Sequence, residues 1–136
     1  MDVQSVYPQV ASIIADVLVV DESEVELTKR LIGDLGAESI DFLDLIFQLE
    51  KTFSVKIPRG QIEKDARGNL SNAEFEQNGV ITDKGIEALK EYLSEIPADN
   101  FKSGMKVNDI PGLYTVETMC KLVMKAKANQ DAAATA

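Results

Sequence analysis

A chain of 136 residues, 45% hydrophobic with 6% aromatic content and no Trp, has the size and composition of one globular domain with a core of Val, Ile and Leu. A formal net charge of −9 argues against nucleic-acid and anionic-lipid partners and for proteins that carry basic patches. With no His and a single Cys, Cys120, the chain offers no Ser–His or Cys–His nucleophile pair, no His-ligated zinc and no internal disulfide.

Residues 1–58 hold 11 acidic and 4 basic side chains, and residues 59–136 hold 12 and 10, so an electrostatic docking face is expected in the first half. No apolar run approaches the ~18 residues of a membrane span. The start Met1-Asp2-Val3-Gln4 lacks the basic and apolar stretches of a secretory signal, and the expected compartment is the cytoplasm.

In chain order, Val6, Val10, Ile13, Ile14 and Val17 share one face of an amphipathic helix over about 4–19. Pro8 predicts a later or irregular start. Asp21 to Glu26 has turn character. Residues 25–38 read as an irregular loop anchored by Val25, Leu27, Leu31, Ile32 and Leu35, with Gly33 and Gly36 against a long helix.

Ser39, just before an apolar-periodic run, predicts an N-cap for a second helix. Leu43, Leu45, Ile46, Leu49 and Phe53 are expected to line its buried stripe, with Asp41, Asp44 and Glu50 outside. Residues 59–81 are polar, with a turn at Asn78-Gly79 and a short helix over 72–77. A third helix over 83–94 has Thr82 as cap, Ile86, Leu89, Leu93 and Ile96 on one face, and Pro97 as its stop. Residues 98–113 read as a connecting loop. A last helix over 116–126 turns Val116, Met119, Cys120 and Val123 inward, and 129–136 is expected to fray. The fold class is all-α.

The run Leu31-Ile32-Gly33-Asp34-Leu35-Gly36-Ala37-Glu38-Ser39-Ile40-Asp41 resembles the acyl carrier protein family, whose pattern is an Asp-Leu-Gly turn, Asp-Ser-Leu, then an acidic amphipathic helix. Leu49-Glu50-Lys51-Thr52-Phe53 and Ile57-Pro58 match the family's following Leu-Glu…Phe and Ile-Pro in order and spacing. Tyr114-Thr115-Val116 resembles the start of the family's final helix. Glu38 stands where the family has Asp, and Ile40 where it has Leu. The resemblance covers 3–58 well and 113–128 more loosely. It implies a four-helix bundle with an extra helix inserted between the second and last core helices: one domain, with core 3–58 and 113–128, insertion 59–112 and tail 129–136.

The resemblance further implies a carrier rather than an enzyme. Ser39 would bear a covalent 4'-phosphopantetheine arm derived from coenzyme A, and the arm would hold acyl intermediates as thioesters in fatty acid, specialised lipid or polyketide synthesis. The implied partners are a phosphopantetheinyl transferase and acyl-processing enzymes with basic patches, met by Glu38, Asp41, Asp44 and Glu50 and by apolar contacts from Ile40 and Phe47; the chain is expected to be a monomer.

The residues alone leave alternatives. Ser39 read by itself is a helix cap, and Ile40 and Phe47 are equally core candidates. Phe42-Leu43-Asp44-Leu45 and the Tyr114…Leu122 ending are more like specialised carriers for very-long-chain acids. The apolar face of the 83–94 helix fits either a lid over an acyl channel or an appended helix that patches the surface or docks one partner. Beyond acyl carriage stand a peptidyl carrier, an unmodified carrier-like helical interaction module and, last, an enzyme working through carboxylates. Cys120 reads as a small buried residue.

Overall fold

The computed structural model describes residues 2–38, 40–57 and 61–135. The chain is predominantly helical. In order it forms α1 (Val3–Leu18), α2 (Asp41–Phe53), α3 (Gln61–Arg67), α4 (Asn72–Phe75), β1 (Glu76–Gln77), β2 (Val80–Ile81), α5 (Asp83–Tyr92) and α6 (Val116–Thr135). Single 3₁₀ segments lie at Glu22–Glu24, Ala98–Asn100 and Val107–Leu113. The chain divides into two compact units, Met1–Pro58 with Tyr114–Ala136, and Arg59–Leu113.

In the first unit, α1 packs against α2 and α6. It begins at once, and Pro8 neither delays nor breaks it. Asp2 accepts the Ser5 N–H and donates its own N–H to the Ser5 hydroxyl, both at 2.9 Å, so the first turn is capped reciprocally. Pro8 lies on the exposed side near the N-terminus, where losing one i→i−4 bond leaves a carbonyl in reach of water. Val6, Val10 and Ile14 are buried as their spacing predicts, with Ala11 and Ala15; Ile13 and Val17 are half-buried.

α6 is capped by Thr115 and Thr118, each of whose N–H donates to the other's hydroxyl, at 3.1 and 3.2 Å. Val116, Met119, Cys120 and Val123 face inward. The helix does not end near 126 but continues to Thr135. The run Ala132-Ala133-Ala134 has the highest intrinsic helix propensity and contains no breaker, which outweighs its lack of apolar anchors.

The second unit is richer than one helix. α5 packs against α3, α4 and β2. β1 and β2 pair antiparallel, Glu76 opposite Ile81 and Gln77 opposite Val80, around Asn78 and Gly79, both at positive φ as a tight hairpin turn requires. Lys106 bridges to the other side of Val80. Thr82 caps α5 by accepting the Gly85 N–H at 3.0 Å. Ile86, Leu89, Leu93 and Ile96 are all buried, but α5 ends at Tyr92, well before Pro97. Ile62, Phe75, Ile81 and Phe101 in the same unit are buried as well. The Tyr92 hydroxyl donates to Asp65 at 3.2 Å, and burial, with that carboxylate beside it, pushes its pKa up to about 12. Residues 107–113 are wound as 3₁₀ turns rather than left as open loop.

Candidate functional site

The segment leading to residue 39 is held residue by residue. The Arg30 carbonyl accepts the N–H groups of Asp34 and Leu35, at 3.0 and 3.1 Å, and the Asp34 carboxylate accepts the Arg30 N–H at 2.8 Å. Ala37 N–H closes back on the Leu31 carbonyl at 2.9 Å, with Gly36 at φ 79 supplying the left-handed step. Leu31, Leu35 and Ala37 are buried while Gly33, Asp34 and Gly36 face out. Buried apolar anchors thus pin a turn whose last residue, Glu38, emerges into solvent.

Ser39 lies outside the described residues. Its neighbours define where the chain stands on either side. The Asp41 carboxylate accepts the Glu38 N–H at 2.8 Å, and the Asp41 N–H donates to the Glu38 carbonyl at 2.9 Å. These two bonds tie Glu38 to Asp41. Ile40 sits directly before α2, makes no side-chain cap bond and is 69% exposed.

On α2 the sequence-derived stripe needs correction. Leu45 and Leu49 are fully buried, and Ile46 and Phe53 half-buried, but Leu43 is 51% exposed. Leu43 joins Ile40 and Phe47, the latter 59% exposed, on an outward face that also carries Asp44. Steps of three and four residues put 40, 43 and 47 on one side of a helix and 45 and 49 on another. Both stripes are apolar, and only packing against α1 and α6 decides which one is core.

The acidic residues differ in how free they are. Glu38 and Asp44 are exposed. Asp41 is half-buried and engaged in its own turn. Glu50 is half-buried too, and its carboxylate accepts the Ile57 N–H at 2.8 Å, pinning the chain beyond α2 with Val55 and Ile57 buried beneath it. Asp41 and Glu50 therefore shape the surface as well as charging it. The sequence carried a local signal for Asp41, an acid three residues after Glu38 at a helix start, and none for Glu50. It carried none either for the contact of Phe42 with Tyr114, edge to face with centroids 5.8 Å apart.

Cys120 is fully buried, and burial, with Glu117 adding to it, pushes its thiol up to about 12. At pH 8 the thiol is therefore held in its protonated, unreactive form. Iodoacetamide at pH 8 is expected to leave it unmodified in the folded chain and to alkylate it after denaturation, read by intact mass. Labelling of Cys120 in the folded chain would show that the α6 core is open.

A family profile described as "Phosphopantetheine attachment site" matches residues 8–67, which include most of α1, the pinned turn and α2. The chain is 43% identical to the acyl carrier protein of Thermotoga maritima over 61 residues, 45% of this chain and 75% of that one. It is 36% identical to the acyl carrier protein AcpXL of Rhizobium meliloti over 76 residues, 55% of this chain and 80% of the relative. To AcpXL of Brucella melitensis it is 39% identical over 72 residues, 52% and 77% of the two chains. The chain belongs to the acyl carrier protein family. It is a carrier and not an enzyme. Acyl carrier proteins work with acyl chains and the enzymes that process them, and their cofactor is covalent 4'-phosphopantetheine.

The residues present fit that group. Glu38 and Ile40 both stand in solvent, and Ile40 and Leu43 offer exposed apolar surface at the start of α2. Among the described residues no group of three or more His, Cys, Asp or Glu could hold a metal ion, and no helix is long and apolar enough to cross a membrane.

Proposed function

We propose that Ser39 bears the phosphopantetheine arm and that the chain passes acyl intermediates between enzymes of fatty acid, specialised lipid or polyketide synthesis. The observation that carries this reading is the pinned turn 31–38, which ends in exposed backbone at the start of an acidic helix within the span matched as an attachment site. A carrier needs a hydroxyl that is reachable and fixed in place, not one that is reactive. When bound, the arm supplies a thiol that takes the acyl group as a thioester.

The chain's own residues then divide the remaining work. Asp41 holds the turn. Glu38 and Asp44 attract Lys and Arg on partner enzymes, and such rim charges give fast, salt-sensitive, short-lived encounters. Ile40, Leu43 and Phe47 add apolar contact at the centre of the same face. Glu50 joins with whatever capacity its bond to Ile57 leaves. The matches to acyl carrier proteins, AcpXL carriers among them, support acyl cargo. A single Cys, which offers no internal disulfide, suits a reducing compartment such as the cytoplasm.

Incubation with coenzyme A and a broad-range phosphopantetheinyl transferase tests the reading. The intact mass of the native chain is expected to rise by one arm, and that of Ser39→Ala to stay fixed. A native chain left bare beside an ordinary carrier that is labelled would overturn the assignment in favour of an unmodified interaction module.

A further inference from the structure

One residue ties together the two stretches of chain on either side of Ser39. Tyr114 is buried, and its backbone is locked to the start of the pinned turn. Its carbonyl accepts the Leu31 N–H at 3.1 Å, Thr115 forms an antiparallel bridge with Arg30, and Val116 donates to the Lys29 carbonyl at 3.0 Å. Its ring meets Phe42, in the first turn of α2, with planes 76° apart. The backbone of Tyr114 thus holds the chain entering the attachment segment, and its ring holds the chain leaving it. Edge-to-face pairs have a preferred geometry that isotropic aliphatic packing lacks.

We propose that Phe42 and Tyr114 are positioning residues for arm transfer, setting through their ring contact the geometry of the chain on either side of Ser39. This rests on the reading of Ser39 as the attachment residue. Tyr114 is buried and Phe42 half-buried, whereas Ile40, Leu43, Asp44 and Phe47, on which a transferase would dock, are exposed. The contact therefore acts on the orientation of the hydroxyl within the complex rather than on forming the complex.

The experiment measures arm transfer from coenzyme A at varied carrier concentration. It compares the native chain with Phe42→Leu, Tyr114→Leu, the double variant and Tyr114→Phe, at a temperature where circular dichroism shows each folded. In each leucine variant kcat is expected to fall between about 2- and 10-fold, as loss of one aromatic pair implies. KM for the carrier should stay within about twofold. Tyr114→Phe, which keeps the ring and loses only the hydroxyl, should be faster than Tyr114→Leu, and the double variant should be no slower than the slower single. Amide exchange at residues 40–43 should quicken in both leucine variants, and less in Tyr114→Phe. Native kcat in the leucine variants, a loss confined to KM, additive losses in the double variant or unchanged exchange would each overturn the proposal. Failure of the native chain itself to take the arm would instead overturn the Ser39 reading, leaving the exchange measurement to judge the ring contact.

Discussion

Gly85→Ala is expected to unfold the segment 59–113 while the remainder of the chain stays folded. A Cβ built on Gly85 would stand 2.3 Å from the Phe75 carbonyl oxygen and 2.7 Å from Ile81 Cγ2. The carbonyl cannot retreat, because it accepts both the Thr82 N–H at 2.9 Å and the Thr82 hydroxyl at 3.1 Å. Nor can α5 slide away, because Thr82 also caps it through Gly85 N–H. Overpacking against fixed backbone costs about 3 kcal/mol, a large share of what so small a unit holds. Amide spectra should lose the dispersed signals of 61–113 and keep those of 3–38 and 116–130, and arm transfer should stay within about twofold of native. Simultaneous loss of both sets would show that the two units fold as one. The same variant addresses cargo, because a segment that lids an acyl channel cannot be unfolded without changing which chain lengths load.

Much of this architecture was legible, and the failures have identifiable causes. Val6, Val10 and Ile14 read as core because a helical period sustained without a break over four turns rarely arises outside an amphipathic helix. The Thr82 cap and the Ile86, Leu89, Leu93 spacing located α5 for the same reason. Pro8 misled because helix propensity penalises proline by identity, while its cost depends on how near the N-terminus it falls and on which side. α3 went unread because a seven-residue helix with Ile62 and Ala66 as its buried residues has too short a period to recognise. The hairpin went unread because strands of two residues cannot alternate, though the Asn78-Gly79 turn that makes it was visible.

At the site, local chemistry was legible and tertiary commitment was not. The Gly-punctuated turn and the acidic helix both follow from neighbours in sequence. The Glu50 bond to Ile57 joins residues seven apart across the end of α2, and Phe42 finds Tyr114 across 72 positions. No periodicity encodes either. Leu43 is the instructive case, since α2 carries two apolar stripes and a rule that sends apolar residues inward must misplace one of them.

Leu49→Ala and Leu43→Ala are therefore expected to fail in opposite ways. Leu49 is fully buried, and truncation removes transfer free energy and leaves a cavity, so unfolding stability should fall by about 3 kcal/mol in denaturant titration. Leu43 is half in water, and its truncation should move stability by no more than about 0.5 kcal/mol. Its loss should appear instead as a KM for the transferase raised about 3- to 10-fold, the scale of one apolar interface contact. Salt separates the components of the face: the Leu43→Ala penalty should hold from low to high ionic strength, while that of Asp44→Asn should shrink as screening removes the native attraction it is measured against. Were Leu43→Ala to destabilise the fold as much as Leu49→Ala, the outward stripe would be core and the docking face would have to lie elsewhere on the carrier.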